Sequence, residues 1–277
     1  MGFFADLRRR IQAVNSVLCV GLDPHPDRLP GVVRGEDMPR WAFNRRIIDA
    51  THEHVAAYKP NAAFYEDPEG WRALTETVAY AHGKDVPVVL DAKRGDVGST
   101  ARQYARLLDD VDAITVNPYL GRDSVEPFLT RDGKGVFVLC RTSNPGGADL
   151  QDLELSSGES VYERVAALAD VWNANGNVGL VVGATVPEEL EGVREAVPDL
   201  PFLVPGIGAQ GGDAEAAVKY GLVDGVGLVN AARSVIFAGE DAVGVTGSDV
   251  DADVADRYFA AAGEAAKRLS QQLEQAR

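Results

Sequence analysis

Charged residues stand at the ends of three successive apolar runs of the sequence. Asp23 closes the first run and Lys59 closes the second. The segment DAKRGDVGST, which ends the third run, carries Asp91, Lys93 and Asp96. Because alternate side chains of a strand point the same way, we expect Asp91 and Lys93 to lie together, with Lys59 reaching them from the adjacent strand. Gathering such charges in a partly dehydrated cleft costs more free energy than pairing usually recovers, which favours catalysis over structural ion pairs.

A second group of residues is typical of an anion site. The segment PGIGAQGGD (205–213) is a glycine-rich turn whose backbone N–H groups can approach a ligand closely before a helix begins at Asp213. In NAARS (230–234), Arg233 stands at the start of another helix. A glycine-rich turn and one arginine are weak evidence alone. They follow the seventh and eighth apolar runs, however, where barrel enzymes commonly bind phosphate, so they predict a phosphorylated substrate.

Eight short apolar runs alternate with segments in which apolar residues have helical spacing. The runs are 16–23, 55–61, 86–93, 113–118, 135–142, 177–184, 201–206 and 225–230. Strands that alternate with helices indicate a parallel sheet, since parallel strands need a crossover connection. We predict an α/β fold, a (β/α)8 TIM barrel forming a single domain over residues 1–277, with its site at the carboxyl ends of the strands. An open doubly wound sheet is the competing architecture.

The composition argues against several classes of partner. The 277 residues carry a formal net charge of −15, which disfavours nucleic acid and anionic membranes. No apolar run is long enough to span a membrane, and the first residues lack a signal-peptide core, so we expect a cytoplasmic protein. The acidic surface implied by many carboxylates and only six lysines suits a salt-rich cytoplasm, while ordinary acidic solubility is the alternative.

The cysteines and histidines indicate no metal site. Cys19 and Cys140 each lie in an apolar run without a CxxC partner, which favours small core residues over a disulfide or a zinc site. His52 and His54 are close in sequence, but solvated helix positions explain them better. We therefore expect neither a metal nor a cofactor. The segment 240–250 matches no motif, and we interpret it as surface.

Taken together, the motifs resemble the orotidine 5′-phosphate decarboxylase family. DAKRGDVGST matches the D-x-K-x-x-D pattern of that family, and the residues in and around this pattern resemble those of the second, bacterial and archaeal subgroup. GLDP, YKPN, VNPYLG, TSNPG, PGIGAQGGD and NAARS agree in the same order, from about residue 16 to residue 240. The resemblance implies cofactor-independent decarboxylation of orotidine 5′-phosphate to uridine 5′-phosphate in pyrimidine biosynthesis. It also implies a homodimer with shared active sites.

The resemblance implies a role for each charged residue of the first group. Lys93 would donate a proton to C6 of the pyrimidine. Lys59, Asp91 and Asp96 would complete an alternating array of charges around it. Asp96 would enter the site of the other subunit.

The resemblance implies further residues that bind the substrate. Asp23 would bind ribose hydroxyls, as would Thr100 from the partner chain, and Arg233 would bind the phosphate. Ser143 and Gln210 would hold the pyrimidine and help clamp the closed state, and Gly211 would also bind the substrate. Thr142 precedes Ser143, so which of the two hydroxyls faces the base stays open.

Two other functions stay open. Sugar-phosphate decarboxylases and aldolase-like synthases of the same superfamily share the D-x-K-x-x-D pattern but act through a metal-bound enediolate. They generally carry an acidic residue where this chain has Lys59, and they lack the SNPG and GAQGG segments. A non-catalytic sensor of a phosphorylated ligand is the alternative from another class. The set of Lys59, Asp91, Lys93 and Asp96 speaks against a sensor, since a pure binding protein would not tolerate two carboxylates beside an anionic ligand.

Overall fold

The strands of the structure follow the predicted apolar runs. The computed structural model describes residues 2–207, 213–244 and 250–277. Within these ranges the strands are Leu18–Leu22 (β1), Ala57–Pro60 (β2), Val89–Arg94 (β3), Ala113–Val116 (β4), Gly135–Arg141 (β5), Val178–Val182 (β6), Phe202–Pro205 (β7) and Leu228–Ala231 (β8). Every residue of β1, β2, β4, β6 and β8 is buried, which explains why the runs are continuously apolar rather than alternating.

The strands form a closed parallel sheet. Their hydrogen-bonded order is β2-β1-β8-β7-β6-β5-β4-β3. The two ends of this order, β2 and β3, are joined by parallel bridges from Tyr58 to Val88 and from Asn61 to Asp91. The predicted (β/α)8 TIM barrel is therefore confirmed, and the open doubly wound alternative is wrong. That residues 1–277 form a single domain stays a prediction.

Helices alternate with the strands and surround the barrel. In the described ranges they are Phe3–Val14 (α1), Gly31–Arg34 (α2), Pro39–Thr51 (α3), Pro68–Gly83 (α4), Gly98–Tyr104 (α5), Arg122–Leu129 (α6), Ala148–Gln151 (α7), Val161–Trp172 (α8), Pro187–Ala196 (α9), Ala214–Gly221 (α10), Arg233–Ile236 (α11), Ala238–Val243 (α12) and Ala252–Gln275 (α13). Two begin at an aspartate that caps the first turn: Asp67 accepts from Gly70 N at 2.8 Å, and Asp213 accepts from Glu215 N at 2.9 Å. The predicted helix start at Asp213 is thus confirmed.

The amphipathic N-terminal helix α1 packs against the end of the barrel opposite the predicted site. Its buried face includes Phe3, whose ring lies 6.0 Å from that of Phe137 in β5. A Cβ at Gly135, the first residue of β5, would overlap the Phe3 ring. Glycine at this position therefore lets α1 approach the strand closely.

The predictions for the cysteines and histidines have mixed support. Cys19 in β1 and Cys140 in β5 are buried and free, as predicted. His52 and His54 are half-buried in a short 3₁₀ turn after α3, rather than solvated on a helix. Among the described residues, no cluster of three His, Cys, Asp or Glu side chains could hold a metal ion.

The part of the chain described here contains no helix long and apolar enough to cross a membrane.

The interpretation of segment 240–250 as surface is wrong in part. Glu240 lies in α12 and forms an ion pair with Arg28, 2.5 Å between Oε2 and Nη2. Val250 is buried, and its carbonyl accepts a hydrogen bond from Val32 N at 2.8 Å. The two described ends of the segment thus contact residues that follow β1. Residues 245–249 lie outside the described residues.

Candidate active site

Charged side chains from β2 and β3 meet at the carboxyl end of the barrel. Asp91 lies between the two lysines: Lys59 Nζ is 2.9 Å from Asp91 Oδ2, and Lys93 Nζ is 2.5 Å from Asp91 Oδ1. The predicted proximity of Lys59, Asp91 and Lys93 is confirmed. One carboxylate thus binds two ammonium groups, one with each oxygen, which fixes the distance between the two positive charges.

Burial decreases from one end of this charge array to the other. The side chain of Lys59 is 5% exposed, that of Asp91 12% and that of Lys93 47%. Burial alone would lower the pKa of Lys59, but the charges of Asp91 and Asp23 outweigh it and raise that pKa above its usual value. Burial alone would raise the pKa of Asp91, but Lys59 and Lys93 outweigh it and hold that pKa well below its usual range. The buried pair is therefore charged, and Lys93 is the member that a substrate can reach.

The third strand is irregular where it carries Lys93. Lys93 has a left-handed φ of +48°, which is uncommon for residues other than glycine. The register between β3 and β4 also shifts between Leu90 and Arg94. Asp91 and Lys93 therefore do not meet through the regular alternation of side chains along a strand, and that expected reason is wrong for this segment. The two side chains meet at a β-bulge, a feature that commonly re-aims a side chain beside an active site.

Asp23 borders a small cavity beside the charge array. The cavity has a volume of about 130 Å³ and is lined by Asp23, Pro205, Gly206, Ile207, Asn230, Ala232, Arg233 and Ser234. Burial raises the pKa of Asp23, while Lys59 opposes this rise. Among the described residues, Asp23 Oδ1, Asn230 Oδ1 and Ser234 Oγ are buried without a hydrogen-bond partner. The two carbonyl-type oxygens are acceptors and suit the hydroxyl groups of a ligand, whereas the Ser234 hydroxyl can donate to an anionic oxygen.

The predicted phosphate site is only partly described. Arg233 is the first residue of α11, at the helix start that the sequence predicts, and is exposed. Gly206, at the end of β7, has a φ of +103°, a backbone conformation that favours glycine. Gln210 and Gly211 lie outside the described residues. The structure therefore brings Asp23 and Arg233 to one cavity.

The loop after β5 is held by a network around Thr142. The Thr142 hydroxyl donates to Asn144 Oδ1 at 2.7 Å and accepts from Gln151 Nε2 at 2.9 Å. Gln151 Oε1 also accepts from Thr142 N at 2.9 Å. A Cβ on Gly183, after β6, would lie 3.0 Å from the backbone of Ser143. Hydrogen bonds thus hold the loop at Thr142, and Gly183 packs closely against it at Ser143. The Thr142 hydroxyl forms its hydrogen bonds with residues of the same loop region.

Asp96 and Thr100 make no hydrogen bond or ion pair with the charge array of their own chain, among the residues that the structure describes. The Asp96 carboxylate accepts a hydrogen bond from Val97 N at 2.7 Å, and within the described ranges no ion pair joins it to either lysine. Thr100 is exposed on α5. Val97, Tyr119 and Leu120, in the loops after β3 and β4, are exposed apolar residues.

Sequence reasoning missed two polar residues of this region. Thr115 in β4 donates to Asp91 Oδ1 at 3.0 Å and accepts from Lys93 N at 2.9 Å. Asn230 in β8 presents its unpaired oxygen beside Asp23. Each is a polar residue inside an otherwise apolar strand, and this could have marked it as a site residue. The strand sequences are AITV for Thr115 and LVNA for Asn230.

Comparison with known proteins assigns the chain to a family. The model of the orotidine 5′-phosphate decarboxylase / HUMPS family matches residues 16–245. The chain is 69% identical to the orotidine 5′-phosphate decarboxylases of Haloarcula marismortui and Halorubrum lacusprofundi, over the full length of each chain. The structure of Leishmania donovani OMP decarboxylase has 41% sequence identity and a TM-score of 0.80, and the match covers 100% of this chain and 99% of that one. The chain belongs to the orotidine 5′-phosphate decarboxylase / HUMPS family.

Proposed function

We propose that this protein decarboxylates orotidine 5′-phosphate to uridine 5′-phosphate in pyrimidine biosynthesis, and that it needs no cofactor. The observation that carries the proposal is the Lys59–Asp91–Lys93 array beside a cavity with unpaired polar atoms. Full-length relatives with 63–69% identity carry the name of this decarboxylase. Lys59 also separates the chain from the metal-dependent synthases of the superfamily, which generally have an acidic residue in its place.

The difficult step is the formation of a carbanion at C6. When the bond between C6 and the carboxylate breaks, its electron pair stays at C6 in the plane of the ring, where the π system does not delocalise it. The ammonium of Lys93 stabilises this charge as it forms, and then transfers a proton to C6. Lys93 is left neutral and recovers its proton from solvent, which reaches its half-exposed side chain.

Asp91 has two roles in this mechanism. It holds both ammonium groups, and its own charge repels the departing carboxylate of the substrate. Two unit charges about 4 Å apart interact by roughly 4 kcal/mol at an effective dielectric constant of 20. Enzymes lower barriers by roughly 8–23 kcal/mol, so repulsion supplies only a fraction. Stabilisation of the carbanion by Lys93 is the larger part of the proposal.

The ribose and phosphate of the substrate are proposed to bind in the cavity next to the array, which Asp23 and Arg233 line. Asp23 accepts hydrogen bonds from the ribose hydroxyls, and Arg233 binds the phosphate. Gln210 and Gly211 are proposed to close over the phosphate and the base. Binding energy from these remote groups orders the charge array in the closed site.

The assay of purified protein with orotidine 5′-phosphate tests the function. We expect the ultraviolet absorbance of the substrate to fall as decarboxylation proceeds, at the same rate with and without EDTA, since no step uses a metal. A flat trace would support the ligand-sensor alternative. Activity that EDTA abolishes and added divalent metal restores would support the metal-dependent alternative.

We propose Ser143 as the hydroxyl that contacts the pyrimidine; the Thr142 hydroxyl bonds Asn144 and Gln151 within its own loop. Replacing Ser143 by alanine is expected to lower kcat/KM by about 10-fold, the effect of losing one hydrogen bond. Thr142→Ser keeps the hydroxyl in its network and is the matched control, with kcat/KM near wild type. Steady-state kinetics measure both. An unchanged kcat/KM in Ser143→Ala would contradict the assignment.

We also propose that the protein is a cytoplasmic homodimer with shared sites. Asp96 makes no ion pair with the array in its own chain, among the residues described. Val97 follows Asp96 in the chain, and it is exposed, as are Tyr119 and Leu120 in the loop after β4; a second copy would cover these apolar residues. In a symmetric dimer each chain then lends Asp96 and Thr100 to its partner's site.

A further inference from the structure

We infer that Thr115 is a positioning residue for the reaction, and that its hydroxyl holds Asp91 and Lys93 in the arrangement that decarboxylation requires. This inference rests on the proposed function. Thr115 is 1% exposed, so it acts through these two residues and not by touching the substrate.

One hydroxyl makes both contacts. Thr115 Oγ1 donates its proton to Asp91 Oδ1 over 3.0 Å, and its lone pair accepts from the backbone N–H of Lys93 over 2.9 Å. Asp91 Oδ1 is also the oxygen that binds Lys93 Nζ at 2.5 Å. Backbone and side chain of Lys93 are thus both held through the same threonine, the backbone directly and the ammonium through Asp91.

The bulge in β3 explains why a side chain is needed here. In the pairing of β3 with β4, Leu90 lies opposite Ile114 and Arg94 lies opposite Val116. Three residues, Asp91 to Lys93, therefore face Thr115 alone, and the regular backbone ladder is interrupted. The Thr115 hydroxyl supplies the acceptor for Lys93 N that the ladder does not provide.

The contact with Lys93 N also bears on an unfavourable backbone conformation. Lys93 has a φ of +48°, which lies in the left-handed region. This region is sterically unfavourable for residues that have a Cβ atom. Such conformations persist when several contacts from the surrounding structure hold them in place, and they are enriched at functional sites. Thr115 is part of that surrounding structure. Without its hydroxyl we expect the bulge to relax and the ammonium to move away from the position of C6.

The test compares three forms of the protein. Thr115→Val keeps the shape of the side chain and removes the hydroxyl. Since catalytic groups must be held within about 0.5 Å, we expect kcat for orotidine 5′-phosphate to fall by about 10- to 100-fold, while KM changes by less than about 3-fold. Thr115→Ser restores the hydroxyl, and we expect its kcat within about 3-fold of wild type.

Thr77→Val is the matched control. Thr77 is as deeply buried as Thr115, and its hydroxyl likewise makes two contacts: it donates to Ala73 O at 2.7 Å and accepts from Asn44 Nδ2 at 3.0 Å. It lies in α4, and neither of its two hydrogen bonds involves a residue of the array. Loss of its hydroxyl is expected to lower the Tm as in Thr115→Val, but to leave kcat unchanged.

Each outcome decides the inference. An unchanged kcat in Thr115→Val, a loss that appears equally in Thr77→Val, or a loss that appears only in KM would overturn it. If Thr115→Val does not fold, Thr115→Cys, which has the size of serine and hydrogen-bonds weakly, is compared with Thr115→Ser under the same criteria. Absence of activity in the wild-type protein would overturn the proposed function itself, whereas an active wild type with an unaffected Thr115→Val overturns this inference alone.

Discussion

Replacing Lys93 by alanine is expected to reduce decarboxylation of orotidine 5′-phosphate by about 10⁴-fold or more. The variant loses both the charge that stabilises the carbanion and the proton donor, and each contribution alone is worth about 10²- to 10⁴-fold. Removing the ammonium also leaves Asp91 paired with Lys59 alone, so that less positive charge faces C6. The loss should appear in kcat, measured by single-turnover and steady-state assays of the purified variant.

Two controls make the Lys93 result specific. Lys267→Ala removes an exposed lysine of α13, outside the site, and is expected to have wild-type kcat. Binding of the product uridine 5′-phosphate to Lys93→Ala should stay within about 10-fold of wild type, because phosphate and ribose contacts carry most of the affinity. Decarboxylation by Lys93→Ala near its original speed would contradict the proposed mechanism.

Mixing two inactive variants is expected to restore about one quarter of wild-type activity, if the sites are shared in a symmetric dimer. The variants are Lys93→Ala and Asp96→Ala. In a hybrid dimer, one site combines an intact Lys93 with an intact Asp96 from the other chain. Random exchange makes about half of the dimers hybrid, with one complete site in each. Activity is measured after subunit exchange, and hybrid formation is followed with differently tagged chains.

A second mixture controls for nonspecific recovery. Lys93→Ala and Lys59→Ala affect residues that meet within a single chain, so neither site of their hybrid is complete. This mixture should stay inactive. Recovery in both mixtures, or in neither despite confirmed hybrids, would show that Asp96 does not act across the interface.

Local sequence patterns were enough to predict the architecture of the barrel. Eight apolar runs became eight parallel strands, and the helix starts at Asp213 and Arg233 are where the residue types predicted them. Such features depend on the alternation of apolar runs with helical patterns and on capping residues, which are properties of neighbouring residues. The approach of Lys59 to Asp91 and Lys93 also followed, since the carboxyl ends of adjacent parallel strands meet at the same mouth.

Tertiary structure decided how the site is held. Pairing of β3 with β4 produces the bulge at Lys93 and places Thr115 against Asp91, and strand register depends on contacts between segments distant in sequence. Packing likewise buries Val250, although the sequence predicted that segment 240–250 lies on the surface. Residue types and their order therefore determined which chemical groups reach the mouth of the barrel. Only the three-dimensional pairing of strands and loops decided which neutral side chains orient them, because a hydroxyl in an apolar run acquires its partners only when the chain has folded.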